Sequence, residues 1–337
     1  FYSVSEVPGP DPMKKKILLI PIAALLLFCM GATDNLRWGF YAHRRINYMA
    51  VFTLPEPMID FYKKHISYLS AHAVDPDRRR YASVAEGPKH FLDSDHYGLH
   101  PFDSIPRKWN EAVLRYGEDS LKAHGILPWN LVRMLYRLRK AFEDGDEGGV
   151  LHYSADLGHY MADAHVPLHT TANYNGQFSN QRGIHAFWES RIPELKGESY
   201  DYFAGKAEYL EKPSEKVWSI VQASFLAKDS VLNLEAQLNA RFPSDLKYSI
   251  ESRGGQVLKV YSEAYSEAYN LLLGDMVERR MREAIRMVGS FWYTAWVMAG
   301  QPALEHFGEK ERSNTTDTLK KEEERWMQNG AMDSLAH

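Results

Sequence analysis

The chain has 337 residues, 45% hydrophobic and 25% charged, with a formal net charge of -4 at pH 7. That balance suits a globular protein with a core of useful size and supplies no global basic field for holding long nucleic acid. A single cysteine, Cys29, excludes an intramolecular disulfide, and 14 histidines, many of them in one part of the chain, are the first anomaly.

Residues 13–32 read as a targeting signal. Met13 opens Met-Lys-Lys-Lys, and residues 17–28 form an apolar run interrupted only by Pro21. The run is too short for a comfortable membrane span and has signal-peptide flanks. Residues 1–12 fit no targeting logic and read as lying upstream of a true start at Met13. Export to the periplasm or beyond is expected, with cleavage near Ala32. Lipid attachment at Cys29 is the second outcome, disfavoured by the bulky Phe28 before it. An exported chain without a disulfide needs another source of robustness, and a metal bound only by the folded state is one candidate.

After the leader the dominant period is helical. Residues 46–65 carry Ile46, Met49, Ala50, Phe52, Met58, Ile59 and Phe61, with Pro55 and Pro57 marking a break. Residues 127–142 repeat Leu127, Leu131, Met134, Leu135, Leu138 and Phe142 at helix spacing, and Pro128 suits a first turn. Residues 145–149 punctuate, and residues 150–166 form a third helix stopped by Pro167. Residues 217–240 and 249–299 read as further helices. Strand signals are sparse, so the expected class is all-α. No later segment reads as a membrane span. Past Leu304 the chain turns charged and poor in core residues, as a solvated tail would. The expected plan is a leader over residues 1–37, one domain over 38–305 and a tail over 306–337.

Chemistry concentrates between residues 152 and 189. In His159-Tyr-Met-Ala-Asp163 an imidazole and a carboxylate stand at i and i+4, on one helix face. Both are good zinc ligands. His169 follows Pro167, and His185-Ala-Phe-Trp-Glu189 repeats the same spacing. One such pair alone is commonly a surface ion pair. Two pairs with a histidine between them point to a metal centre. His72, His96 and His165 read as ordinary core or surface residues, and His152 with Asp156 as a supporting polar pair. There is no Gly-rich phosphate loop, no G-x-S-x-G, no paired C-x-x-C and no H-E-x-x-H.

Upstream stand Trp38-Gly-Phe-Tyr-Ala-His43, Asp75 in Asp-Pro-Asp-Arg-Arg-Arg, and His90-Phe-Leu-Asp93. Each is weak by itself. Together, in this order, with His159-x-x-x-Asp163-x-x-x-Pro-Leu-His169 and His185-x-x-x-Glu189, they resemble the bacterial zinc-dependent phospholipases C and the single-strand-specific zinc nucleases, over roughly residues 38–191. The resemblance implies an all-α fold with three zinc ions in a cleft. It implies Asp75, His90, His159 and Asp163 as ligands of one zinc, and His169, His185 and Glu189 as those of a second. Trp38, through its amine and carbonyl, would hold the third with His43 and a bridging Asp163. Asp75 would also be the catalytic acid that steers the attacking water. In the family the tryptophan is the mature N-terminus, whereas here residues 33–37 separate it from the expected cleavage site.

Clustered zinc ligands suit hydrolysis of an anionic phosphodiester, because a metal generates hydroxide from bound water at neutral pH and further metals neutralise phosphoryl charge. Glu189, and the short gap between His169 and His185, lean towards a phospholipase C acting on a phospholipid headgroup, with peripheral membrane contact. His43 close behind Trp38, and the aromatic residue before Glu189, resemble the nucleases, whose substrate is single-stranded nucleic acid or a nucleotide. Phe91 and Asp93 are the expected substrate contacts, Phe91 as a platform for a base or for a choline cation. A reading from another class is a non-catalytic helical binding protein stabilised by zinc.

Overall fold

The computed structural model describes residues 40–253 and 256–307. Trp38, Cys29, the leader and residues 308–337 lie outside them. The described chain is mostly helical, as its apolar periodicity predicts. The helices that matter for the site are α1 (Tyr41–Ala50), α2 (Ile66–His72), α3 (Asp75–Arg79), α4 (Leu127–Asp144), α5 (Glu147–Ala164), α6 (Pro213–Asn239), α7 (Glu263–Leu273) and α8 (Met276–Met298). No described helix is long and apolar enough to cross a membrane.

α5 is the axis of the molecule. It is buried on nearly every side, with Leu151, Leu157 and Met161 in the core, as expected of a helix apolar all round. α1, α2, α4 and α8 pack around it. α4 carries Leu131, Leu135 and Leu138 to the shared core, and α8 carries Val288, Phe291 and Trp292. The Trp292 indole N–H donates to Ser154 O of α5 at 3.1 Å. Local chemistry fixes the ends. Pro128 stands in the first turn of α4, and Gly145 ends that helix at φ 66°, in the left-handed region where a Cβ is costly. Asp146 then caps α5 by accepting from Gly149 N–H at 3.0 Å, a contribution of about 1 kcal/mol. α5 stops at Ala164, three residues before Pro167.

Two crossings are set by glycine. A Cβ on Gly158 would overlap the Asn47 side chain, so α1 and α5 touch closely there. Gly125, at φ +89°, lies against the Phe91 backbone.

The expected helix over residues 249–299 is corrected at its start. Tyr248–Arg253 and Gln256–Tyr261 form an antiparallel hairpin, β1 and β2, with Ile250 opposite Lys259. α7 and α8 follow it. Val257, Val260 and Tyr261 favour a strand, and the sequence between the strands is Gly254-Gly255, a hairpin signal overlooked in favour of the helical period further on.

Candidate metal centre

Six segments deliver imidazoles and carboxylates to one place. His43 comes from the first turn of α1, Asp77 from α3, and His90 from the end of a short 3-10 turn, Gly87–His90. His159 and Asp163 share a face of α5. His169 lies in the turn Pro167–Thr170 that Pro167 starts. His185 and Glu189 come from Ile184–Ala186 and the π-helical turn Phe187–Arg191 that continues it.

Three groups of potential ligand atoms result: His43, His159 and Asp163; Asp77, His90 and His159; and His169, His185 and Glu189. They are contiguous. Asp163 Oδ2 lies 2.9 Å from His90 Nδ1 and 3.3 Å from His159 Nε2, while its Oδ1 lies 3.6 Å from His43 Nε2 and 3.9 Å from His169 Nε2. Glu189 links the far side, at 3.1 Å from His43, 3.3 Å from His169 and 2.7 Å from His185. The His43 and His159 rings stack at 4.2 Å.

The donor chemistry fits divalent cations. His159 Nδ1–H donates to Ala73 O at 2.8 Å, and His169 Nδ1–H donates to His90 O at 2.6 Å. Each neutral ring then presents a lone pair at Nε2. Both lone pairs face carboxylate oxygens at 3.3 Å. Acceptor facing acceptor in a buried site is costly unless a cation lies between them. That cation is either a proton added to the ring or a metal ion that displaces it. Burial opposes charge on His43 and His169, but the surrounding carboxylates outweigh it and raise both to about 9. Burial likewise opposes ionisation of Asp163 and Glu189, yet the histidines hold both carboxyls well below their ordinary range. Imidazole with carboxylate oxygen is a donor set that zinc accepts readily.

His90, His169 and His185 open onto a cleft of about 550 Å3, lined also by Arg80, Phe91, Asp93, Tyr174 and Asn175. That volume suits a small organic ligand. Phe91 and Asp93, the expected substrate contacts, therefore stand beside the centre. Burial, with Asp95 nearby, raises the Asp93 carboxyl to about 6.

The structure brings together nine of the residues singled out from the sequence: His43, His90, His159, Asp163, His169, His185 and Glu189 at the centre, with Phe91 and Asp93 on the cleft wall. Asp75 is the correction. Its carboxylate faces His72 Nδ1 at 2.5 Å and Arg78 at 2.8 Å, and the acid that meets His90 and His159 is Asp77, 3.8 Å from each. Two residues apart on a helix point to opposite sides. The stretch Asp75-Pro76-Asp77 offered both acids, and only the seating of α3 selects between them. Nothing in the run Arg78-Arg79-Arg80 sets Arg80 apart in the sequence, and only the fold places it on the cleft wall. Asp156 does sit beside His152, at 3.6 Å, but its main partner is Arg79 at 2.6 Å. His165 is a core residue, its Nδ1–H donating to Met161 O at 2.8 Å.

No protein-family model matches the chain, and no curated protein matches it.

Proposed function

We propose that the chain is a zinc-dependent phosphodiester hydrolase of the phospholipase C type. The observation that carries this reading is the sharing of carboxylates between adjacent ligand groups, Asp163 reaching four imidazoles and Glu189 three, beside an open cleft that His90, His169 and His185 line. A single-metal hydrolase has no use for so many donors, whereas a phosphodiester, anionic throughout the reaction, needs several positive charges at once.

Bound zinc would supply hydroxide at neutral pH, lowering the pKa of its water from about 15.7 to about 7. The chain's residues do the rest. His159, Asp163, His90 and Asp77 would hold one ion, with His43 reaching Asp163 from the other side, and His169, His185 and Glu189 would hold another. Asp77 keeps part of its side chain open to solvent. It takes over the role expected of Asp75, steering the attacking water. Arg80 offers a guanidinium to phosphoryl oxygens from the cleft wall. Phe91 and Tyr174 supply aromatic surface, and Asp93 adds a carboxylate near them. Aromatic faces with a carboxylate favour a cationic headgroup over a polyanionic strand, which supports the phospholipase reading.

The nuclease reading has one observation of its own. With its carboxyl raised to about 6, Asp93 is half protonated in mildly acidic solution and can donate to a base edge while Phe91 stacks on the ring.

The deciding experiment uses the purified chain. Zinc per chain is measured, and an aryl phosphodiester is offered with and without chelator, followed by phosphatidylcholine against single-stranded DNA. Turnover lost to the chelator and restored by zinc, with phosphatidylcholine preferred, supports the proposal. Preference for DNA selects the nuclease. Zinc without turnover selects a zinc-stabilised binding protein, and a chain that takes up no zinc ends all three readings.

A further inference from the structure

Behind His90, on the side away from the centre, lies a buried carboxylate with no part in the chemistry above. Glu86 is 1% exposed and precedes the turn that ends in His90. Its Oε1 accepts from the Tyr160 hydroxyl, and its Oε2 accepts from Lys89 Nζ at 2.6 Å and lies 3.6 Å from Arg79 Nε. Arg79 Nη2 also donates to Asp156 at 2.6 Å. This network ties together three segments. Asp77 lies two residues before Arg79 on α3, His90 four residues after Glu86, and His159 between Asp156 and Tyr160 on α5. Asp77, His90 and His159 are one ligand group of the centre.

His90 itself is incomplete. Its Nδ1 faces the centre, 2.9 Å from Asp163 Oδ2 and 3.0 Å from His159 Nε2. Its Nε2 is buried with no hydrogen-bond partner among the described residues, and it faces Glu86 Oε1 across 3.6 Å. An imidazole that ligates through Nδ1 carries its proton on Nε2, and a buried N–H needs an acceptor.

We propose that Glu86 is a positioning residue for the metal centre, accepting the His90 Nε2–H and so fixing the tautomer and plane of the ring. Because Arg79 and Tyr160 hold Glu86 in turn, the ring is referenced to α3 and α5, which bring the other two ligands of its group. The inference rests on the metal reading of the centre, but not on which phosphodiester is cut.

The test is zinc affinity, measured by competition with a chromophoric chelator, together with the absorption spectrum of the cobalt-substituted protein. Loss of a carboxylate behind a ligating histidine weakens metal binding by about 10- to 100-fold. Glu86→Gln should show that loss and a changed cobalt spectrum, while adding no further loss to a His90→Ala chain. Glu86→Asp, which keeps the charge, should recover part of the affinity and is the working variant where Glu86→Gln does not fold. Unchanged affinity and spectrum overturn the proposal, and so does an equal loss in the His90→Ala background, which marks a purely structural carboxylate. Failure of both variants to fold without metal likewise marks a structural carboxylate and overturns the proposal. A wild-type chain without zinc overturns the centre itself, a separate outcome from a zinc-binding wild type indifferent to Glu86.

Discussion

The centre contains the same sequence pattern twice, a histidine and a carboxylate four residues apart, in two different settings. His159 and Asp163 stand on α5, a regular helix inside the protein, with both side chains essentially inaccessible. His185 and Glu189 straddle a change from α to π winding, and the His185 side chain is 25% exposed. The first pair is fixed by the core. The second is fixed by a clamp remote in sequence. Phe187 stacks on Tyr261 at 3.8 Å, and Arg191 donates to Tyr261 O at 3.1 Å and pairs with Glu251 of β1 at 2.5 Å. Identical spacing thus specifies which ligands pair but not how firmly they are held. π-turns often appear at functional sites, and here one is stabilised by a hairpin against its flank.

The sharpest way to break this contrast is His159→Ala. Turnover should vanish and thermal stability should fall with it, because a metal at 1,000 times its dissociation constant stabilises the fold by about 4 kcal/mol. Melting curves with and without chelator measure this. The chelated wild type should approach the variant, and retained turnover in the variant would refute the assignment. Next in size is Phe187→Ala. Truncating a buried aromatic costs about 3–5 kcal/mol, and the zinc lost on dialysis should come from the His169, His185 and Glu189 group. Equal losses from both groups would erase the distinction between core and clamp. A smaller effect is expected for Glu251→Gln. This partly exposed pair with Arg191 is worth about 1 kcal/mol or less, so the melting temperature should barely move while zinc leaves faster in a chelator chase.

The smallest effect concerns acid. Burial alone would raise the Asp156 carboxyl on α5, but Arg79, helped by His152, outweighs it and holds it below its ordinary value of 3.8. A carboxyl depressed in the folded state contributes stability above that ordinary value and loses it as pH falls through the folded one. The metal-free chain should therefore weaken below about pH 4, and Asp156→Asn should show a shallower decline there. Parallel acid melts would disprove the coupling.

Much of this was legible in the sequence, for identifiable reasons. The helices over residues 127–142 and 150–166 carry strong apolar periodicity and their own stop signals. The two spaced pairs and His169 declared themselves through residue type and interval. What escaped depends on tertiary context. Asp77 could not be told from Asp75 without the orientation of a five-residue helix. Glu86 lies in a polar stretch that reads as loop, and its burial arises from Arg79 and Tyr160, distant neighbours in sequence. The hairpin was hidden because residues 248–261 lead directly into a strong helical signal.

Gly158 has a consequence for change in this chain. The crossing it permits puts α1 against α5 one residue from His159, while Asn47, which fills the space, also donates to His43 O at 3.2 Å. The smallest residue in the neighbourhood therefore acts as a spacer gauge, setting the gap across which two imidazoles lie in parallel. Even a methyl group there would press on the Asn47 side chain, and through it on the spacing of those two rings.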